Sequence, residues 1–205
     1  MKLIDLSHTF NETIPVYPGD PSPEFVQVSY IETKGYTGFQ LKSIMHVGTH
    51  IDAPFHMLEN GKRLSEIPIE KFFGKGILLD ARGKANIDVD LLKNLSVENG
   101  AIVLIFTGRS KYYGKDEYYK NRPEITESFA YKMVEYGVKI VGMDTPGPDR
   151  APYNIHKILL SKEVLIIENL TNLEALVGID KFEIVALPPK MHIDGAPIRV
   201  VAKFV

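Results

Sequence analysis

AIVLIF, residues 101–106, is among the longest apolar runs of this 205-residue chain. It falls well short of the ~18 residues expected of a membrane-spanning helix, and its β-branched content reads as a strand. Six runs of the same kind lie around it: FVQVSYI from Phe25, GILLDA from Gly76, KIVGMD from Lys139, EVLII from Glu163, EIVAL from Glu183 and IRVVAKF from Ile198. Helix-like stretches fall between several of them, at 88–95, 125–136, 154–161 and 171–177. In the second, Thr126 is a capping residue, Phe129 and Met133 share a face at i, i+4, and Gly137 is a natural terminator. Strands interleaved with helices predict an α/β protein. The N-terminal third is richer in strand than in helix signals, so a mixed sheet flanked by helices is expected, not a regular doubly wound fold. The length suits one domain, 1–205. PVYPGDPSP, residues 15–23, carries four prolines and a glycine and is expected to be a rigid surface loop.

Composition narrows the function. With 44% hydrophobic and 24% charged residues the chain is an ordinary globular sequence. A formal net charge of -2 supplies no basic stripe for a phosphate backbone, so nucleic acid is not an expected partner. No run is long enough for a membrane span, and Asp5 and His8 interrupt the stretch that a secretory signal would keep apolar; a cytoplasmic location is expected. The absence of cysteine excludes disulfides, thiolate nucleophiles and cysteine-based zinc sites, leaving imidazole and carboxylate as possible metal donors. There is no G-x-S-x-G elbow, no H-E-x-x-H and no phosphate loop.

His46, His50, Asp52 and His56 fall within eleven residues, HVGTHIDAPFH, and include three of the chain's six histidines. Donors on one zinc ion sit ~2.0–2.2 Å from it and hence within about 4 Å of one another. On a straight strand His46 and His50 would be ~13 Å apart. A continuous helix also fails, because it would rotate Asp52 about 240° from His46 and Pro54 would break its ladder. The segment must therefore bend, with Gly48 permissive at the bend and Pro54 stiffening the run to His56. So bent, it can wrap His46, His50 and Asp52 around one ion, leaving a fourth position for water and His56 as a nearby base. Exposed or satisfied core histidines are the bland alternative, which the clustering disfavours.

HVGTHIDAPFH resembles the H-x-G-T-H-x-D-x-P-x-H signature of the cyclase family of metal-dependent hydrolases, which includes bacterial kynurenine formamidases and isatin hydrolases. Supporting matches are IDLSHTF and PVYPGD near the N-terminus, GMDTPGPD from Gly142, His156 followed twelve residues later by Glu168, and PIRVVAKF. The resemblance implies a swivelling β/β/α-like domain, a mixed sheet or partly closed barrel flanked by helices. It also implies two divalent ions, zinc or manganese: His46, His50 and Asp52 on the first, a bridging Asp52, and His156 with Glu168 completing the second. His56 would be the general acid/base, Tyr17 a substrate contact, and the protein a homodimer. By their local sequence alone, His156 reads as a surface helix residue and Glu168 as a solvated strand end. His8 and His192 are taken as structural. Two departures stand out: Tyr17 replaces the tryptophan of the formamidase V-W-P-G-D loop, and Gly147 replaces the serine of a Pro-Ser-x-Asp pattern.

The expected chemistry is amide hydrolysis by a metal-activated water, with His56 taking a proton from that water and delivering it to the leaving amine. N-formylkynurenine, giving kynurenine and formate, is the expected small-molecule substrate. A cyclic amide or lactone such as isatin is the runner-up, and a metal- or ligand-binding protein without turnover the alternative of a different class.

Overall fold

The computed structural model describes residues 1–93 and 95–204. Nine strands form the main sheet: β1 (Lys2–Asp5), β2 (His50–Asp52), β3 (Phe73–Asp80), β4 (Ile102–Phe106), β5 (Ile140–Met143), β6 (Leu165–Glu168), β7 (Phe182–Val185), β8 (Gly195–Pro197) and β9 (Val201–Phe204). Their spatial order is β1-β9-β7-β3-β4-β5-β6-β2-β8. The four central strands, β3 to β6, run parallel, and antiparallel strands extend the sheet on both sides.

The stretch 101–106 shows why the sheet is covered on both faces. Every residue of β4 is buried. Strand alternation sends Ile102, Leu104 and Phe106 to one apolar cluster and Val103 and Ile105 to another, the pattern of a strand with no solvent face. The first cluster also takes Ala196 from β8 and Ala202 from β9, which lie near opposite ends of the strand order. Residues so far apart along a flat sheet would not share a core, so the sheet curls into a half-barrel around them. The second cluster is the outer face, covered by α1 (Glu127–Glu135) and α2 (Asn154–Ser161) through Phe129, Ala130, Met133, Leu159 and Leu160.

The mixed, helix-flanked α/β architecture expected from the sequence is thus the one observed. Thr126 caps α1 by accepting from the Phe129 N–H, and Gly137 follows it at φ 67. Two expected helices are only single 3-10 turns. Residues 88–95 give Val89–Leu92, with the Asp88 side chain accepting from the Val89 N–H; Asn94 lies outside the described residues. Residues 171–177 give Leu173–Leu176, both of whose leucines are buried. A three-residue repeat seats each short segment against the core without a longer helix.

Strands β1, β2 and β8 carry no periodic signal in the sequence. The last contains Pro197 and is the final strand of the order, where a missing N–H costs no ladder bond. Outside the main sheet, Glu24–Ser29 and Gly38–Lys42 form a separate hairpin with Val26, Val28, Phe39 and Leu41 exposed. Residues 15–23 form an irregular loop with no helix or strand. Its backbone is held by the Tyr113 hydroxyl, donating to the Pro15 carbonyl at 3.3 Å, and by Tyr119, donating to Val16 at 2.8 Å.

No helix of the described residues is long and apolar enough to cross a membrane.

Candidate metal centre

The segment 46–56 bends where the sequence predicts. Gly48 sits at φ 64, a left-handed conformation that favours glycine, and a Cβ there would also require the Ile14 Cδ1 methyl, 2.5 Å away, to shift. Beyond the bend, β2 places His50 and Asp52 two residues apart and hence on one face. Pro54 then opens a single 3-10 turn that ends at His56. Glu168 closes β6, opposite His50 in the antiparallel ladder. The next residue, Asn169, adopts φ 56, which asparagine tolerates. From there its side chain donates to the Gly48 carbonyl at 2.9 Å and accepts from the Tyr118 hydroxyl at 2.8 Å, tying the two donor-bearing segments together.

All six residues singled out for metal or proton chemistry converge. The His50 Nδ1 lies 2.9 Å from the Gly48 carbonyl, which can only accept, so Nδ1 carries the proton and Nε2 faces the carboxylates. That Nε2 is 3.5 Å from Asp52 Oδ1 and 3.4 Å from Glu168 Oε2. Donors bound at ~2.1 Å around a tetrahedral ion stand about 3.4 Å apart, so the spacing matches that between ligands of one ion. Asp52 Oδ2 is buried and has no hydrogen-bond partner among the described residues. A buried carboxylate oxygen left bare is costly unless a cation meets it, and the donor set therefore fits a divalent ion.

The grouping differs from the expected one. His50, Asp52 and Glu168 form one set of mutually close donors; His46, Asp52 and His56 form the other. Asp52 is common to both, as a bridging carboxylate requires. His46 Nδ1 lies 2.8 Å from Asp52 Oδ1, and the His46 and His56 rings stack at 3.8 Å. His156 is buried on α2, not a surface residue, and its Nε2 lies 3.2 Å from Glu168 Oε1 and 4.0 Å from Asp52 Oδ2. Glu168 is buried too, correcting its reading as a solvated strand end.

Two aspartates acquire roles that the sequence does not assign: Asp149, present only as the end of a family pattern, and Asp194, which the sequence reading passes over. Asp149 accepts from the Ile155 N–H at the start of α2 and from His156 Nδ1, aiming Nε2 inward. Asp194, in the turn before β8, lies 2.9 Å from His46 Nε2 and 3.5 Å from His56 Nδ1. Each is a lone aspartate in a turn-like context, and only the folded arrangement reveals its partner. Carboxylates placed this way hold metal-binding imidazoles in one tautomer and orientation.

The charge balance is acidic. Burial alone would lower the His46 pKa, but Asp52 and Asp194 more than offset it and hold it at about 10. His156 is likewise carried to about 10: burial opposes, and Asp149 and Glu168 prevail. Asp194, bonded to His46, is held down at about 2. Burial would raise Asp52, yet the surrounding imidazoles keep its carboxyl below the ordinary range. His56 differs: burial lowers its pKa, which favours the neutral base.

A cleft of about 620 Å³ opens over the cluster, a size suited to a small organic molecule. Tyr17 stands on its rim, 46% exposed and edge-on to Tyr119 at 5.6 Å. Gly147 has φ 117, and a Cβ there would stand 2.7 Å from Glu168 Oε1, so a side chain at 147 would require that carboxylate to shift. The remaining histidines lie outside the cluster. Burial brings His8, stacked on Tyr113 at 3.8 Å, down to about 4, and His192 is exposed beside Ser65.

Known proteins resemble this chain along nearly all of its length. The family profile described as "Putative cyclase" matches residues 4–150. An uncharacterized protein of Methanocaldococcus jannaschii is 38% identical, over 98% of this chain and 99% of its own length. A kynurenine formamidase of Bacillus mycoides is 30% identical, over 98% of this chain and 96% of its own. Among solved structures, a potential metal-dependent hydrolase with cyclase activity superposes with a TM-score of 0.80 at 29% identity, over 98% of this chain and 96% of that one. With a family match over most of its length and these relatives along nearly all of it, the chain belongs to the cyclase family.

Proposed function

We propose that this protein is a metal-dependent hydrolase of carbon–nitrogen bonds, and specifically an arylformamidase that cleaves N-formylkynurenine to kynurenine and formate. The observation that carries the reading is the set of His50, Asp52 and Glu168 donor atoms at ligand-to-ligand spacing, with Asp52 shared by a second set and His56 beside it at the floor of an open cleft. The kynurenine formamidase and metal-dependent hydrolase relatives support the reaction class.

His46, His50, Asp52, His156 and Glu168 would hold two divalent ions, zinc or manganese. Ions bound there lower the pKa of water and polarise a carbonyl, supplying nucleophile and electrophile at neutral pH. His56 is the mobile proton's carrier: neutral, it accepts a proton from the attacking water, and as imidazolium it returns that proton to the aryl nitrogen as the C–N bond breaks. Water thus adds its hydroxyl to the formyl carbon, and the amine leaves with the proton. Asp194 holds the His46 and His56 rings in register, and Asp149 does the same for His156. Tyr17 offers the aryl group an aromatic face at the rim.

The test is a turnover assay on protein loaded with zinc or manganese, following kynurenine and formate in equal amounts. Hydrolysis abolished by chelation is expected. A metal-loaded protein inert toward N-formylkynurenine but active on lactams or lactones would replace the arylformamidase assignment; one inert toward all three would remove the enzyme reading.

A further inference from the structure

We infer that Arg122 is a carboxylate anchor in the substrate cleft, so that the protein selects aryl amides bearing an anionic group over neutral ones. The inference deepens the amidase reading and rests on it. Arg122 is only 6% exposed, yet it lines the cleft together with Tyr17, Asp149 and Glu168. Its guanidinium donates to the backbone carbonyls of Gly147 and Asp149, both neutral acceptors. Arg82, Arg150 and Arg199 each face a carboxylate; no carboxylate among the described residues lies in salt-bridge range of Arg122. A cation taken out of water without a counter-ion is costly to bury. Burial accordingly lowers the Arg122 pKa, with Glu168 only partly offsetting it.

The two nearby acids are committed elsewhere. Asp149 is engaged by His156 and the Ile155 N–H, and Glu168 faces His50 and His156. Metal binding at Glu168 would withdraw its charge further from Arg122. A guanidinium has five N–H donors in a planar fork, so donation to two carbonyls leaves others for a ligand carboxylate. Tyr17 stands on the same cleft with an aromatic face at its rim. Cation and ring together describe a ligand with an aryl group at one end and a carboxylate at the other. The competing role is purely structural: Arg122 could serve only to brace the 147–149 backbone that aims Asp149 at His156.

Calorimetric titration of the metal-loaded protein with anthranilate and with anthranilamide separates these roles, because the two ligands differ in charge at one substituent. The wild-type protein is expected to bind anthranilate ~10-fold or more tightly than anthranilamide. Arg122→Gln should bring that ratio to within about 3-fold while anthranilamide affinity and metal content hold, and Arg122→Lys should keep part of the preference. If Arg122→Gln does not fold, a reduced ratio in Arg122→Lys decides in favour. Three results overturn the inference: no preference in the wild type, a preference undiminished in the foldable variants, or equal loss of both ligands, which is the signature of a brace. Because these are binding measurements, failure of the arylformamidase reading shows separately, as absent N-formylkynurenine hydrolysis.

Discussion

The candidate centre has two halves that the chain assembles differently. His46, His50, Asp52 and His56 come from one bent segment, whereas Asp149, His156, Glu168 and Asp194 arrive from a loop, a helix, a strand end and a turn far along the chain. The local half contributes three imidazoles around one shared carboxylate. The remote half is mostly carboxylate, and its members hold imidazoles: Asp149 on His156, Asp194 on His46, Glu168 against His50 and His156. The local segment thus supplies most of the donors, and the remote residues supply their orientation and the excess negative charge. Variants in the local half should abolish binding or chemistry outright; variants in the remote half should retune them.

Asp52→Asn is the severest challenge, because it alone joins both donor sets. Near-complete loss of bound metal and of turnover is expected, read by elemental analysis on folded protein. Retention of two ions per chain would mean that Asp52 is not a bridge. His56→Ala should lower kcat by ~10²–10⁴-fold while most of the metal stays. Since His56 lies within donor distance of His46 and Asp52, the outcome sharpens the assignment: loss of metal at wild-type stability would make His56 a ligand.

On the remote side, Asp194→Asn should weaken metal affinity or activity by ~10–100-fold without unfolding the protein. Unchanged affinity and rate would confine Asp194 to the surface. The metal-free protein offers a fourth test. The folded pKa values of His46 and His156, about 10, exceed the ordinary 6.5, so the stability they contribute is complete below pH 6.5 and is lost as pH rises toward 10. The Tm of the metal-free protein should fall across that window while metal affinity rises, since the ion competes with those protons. A flat Tm would indicate that the two imidazoles do not take up protons on folding. The smallest effect is expected at the rim, where Tyr17→Ala should raise KM for aryl substrates several-fold and leave metal content unchanged.

Legibility in the sequence follows the same division. Runs such as 101–106 and 139–144 revealed their strands because a buried strand must be apolar, and α2 matched its expected range, 154–161. The three-residue strands β2 and β8 are too short for any period to show, and between them HID and GAP hold a single β-branched residue, Ile51. The bend at Gly48 was legible because donor spacing excludes both a straight strand and a helix. His156 and Glu168 stood out only through family resemblance, since nothing local separates a histidine at the core from one on a helix surface. Asp149 appeared only as the last residue of a family pattern, with no role attached, and Asp194 gave no signal, being an aspartate in a turn whose imidazole partner lies 148 residues away. Gly147 reads as a lost hydroxyl, and in the fold its φ of 117 favours glycine, while a side chain there would require the Glu168 carboxylate to shift.

Strand β2 has a consequence for how the molecule comes into being. Its neighbours are residues 166–168 on one side and 195–197 on the other, so the ladder that fixes His50 and Asp52 joins parts of the chain remote in sequence. Closing such loops costs entropy before any contact rewards it, and pairings of this kind form slowly. The ladders that join β3, β4 and β5 to one another lie within residues 73–143 and can form while HVGTHIDAPFH is still unpaired. The donor-bearing strand is therefore among the last to be locked in, and a chain interrupted before residue 195 would lack one of the two ladders that shape the centre.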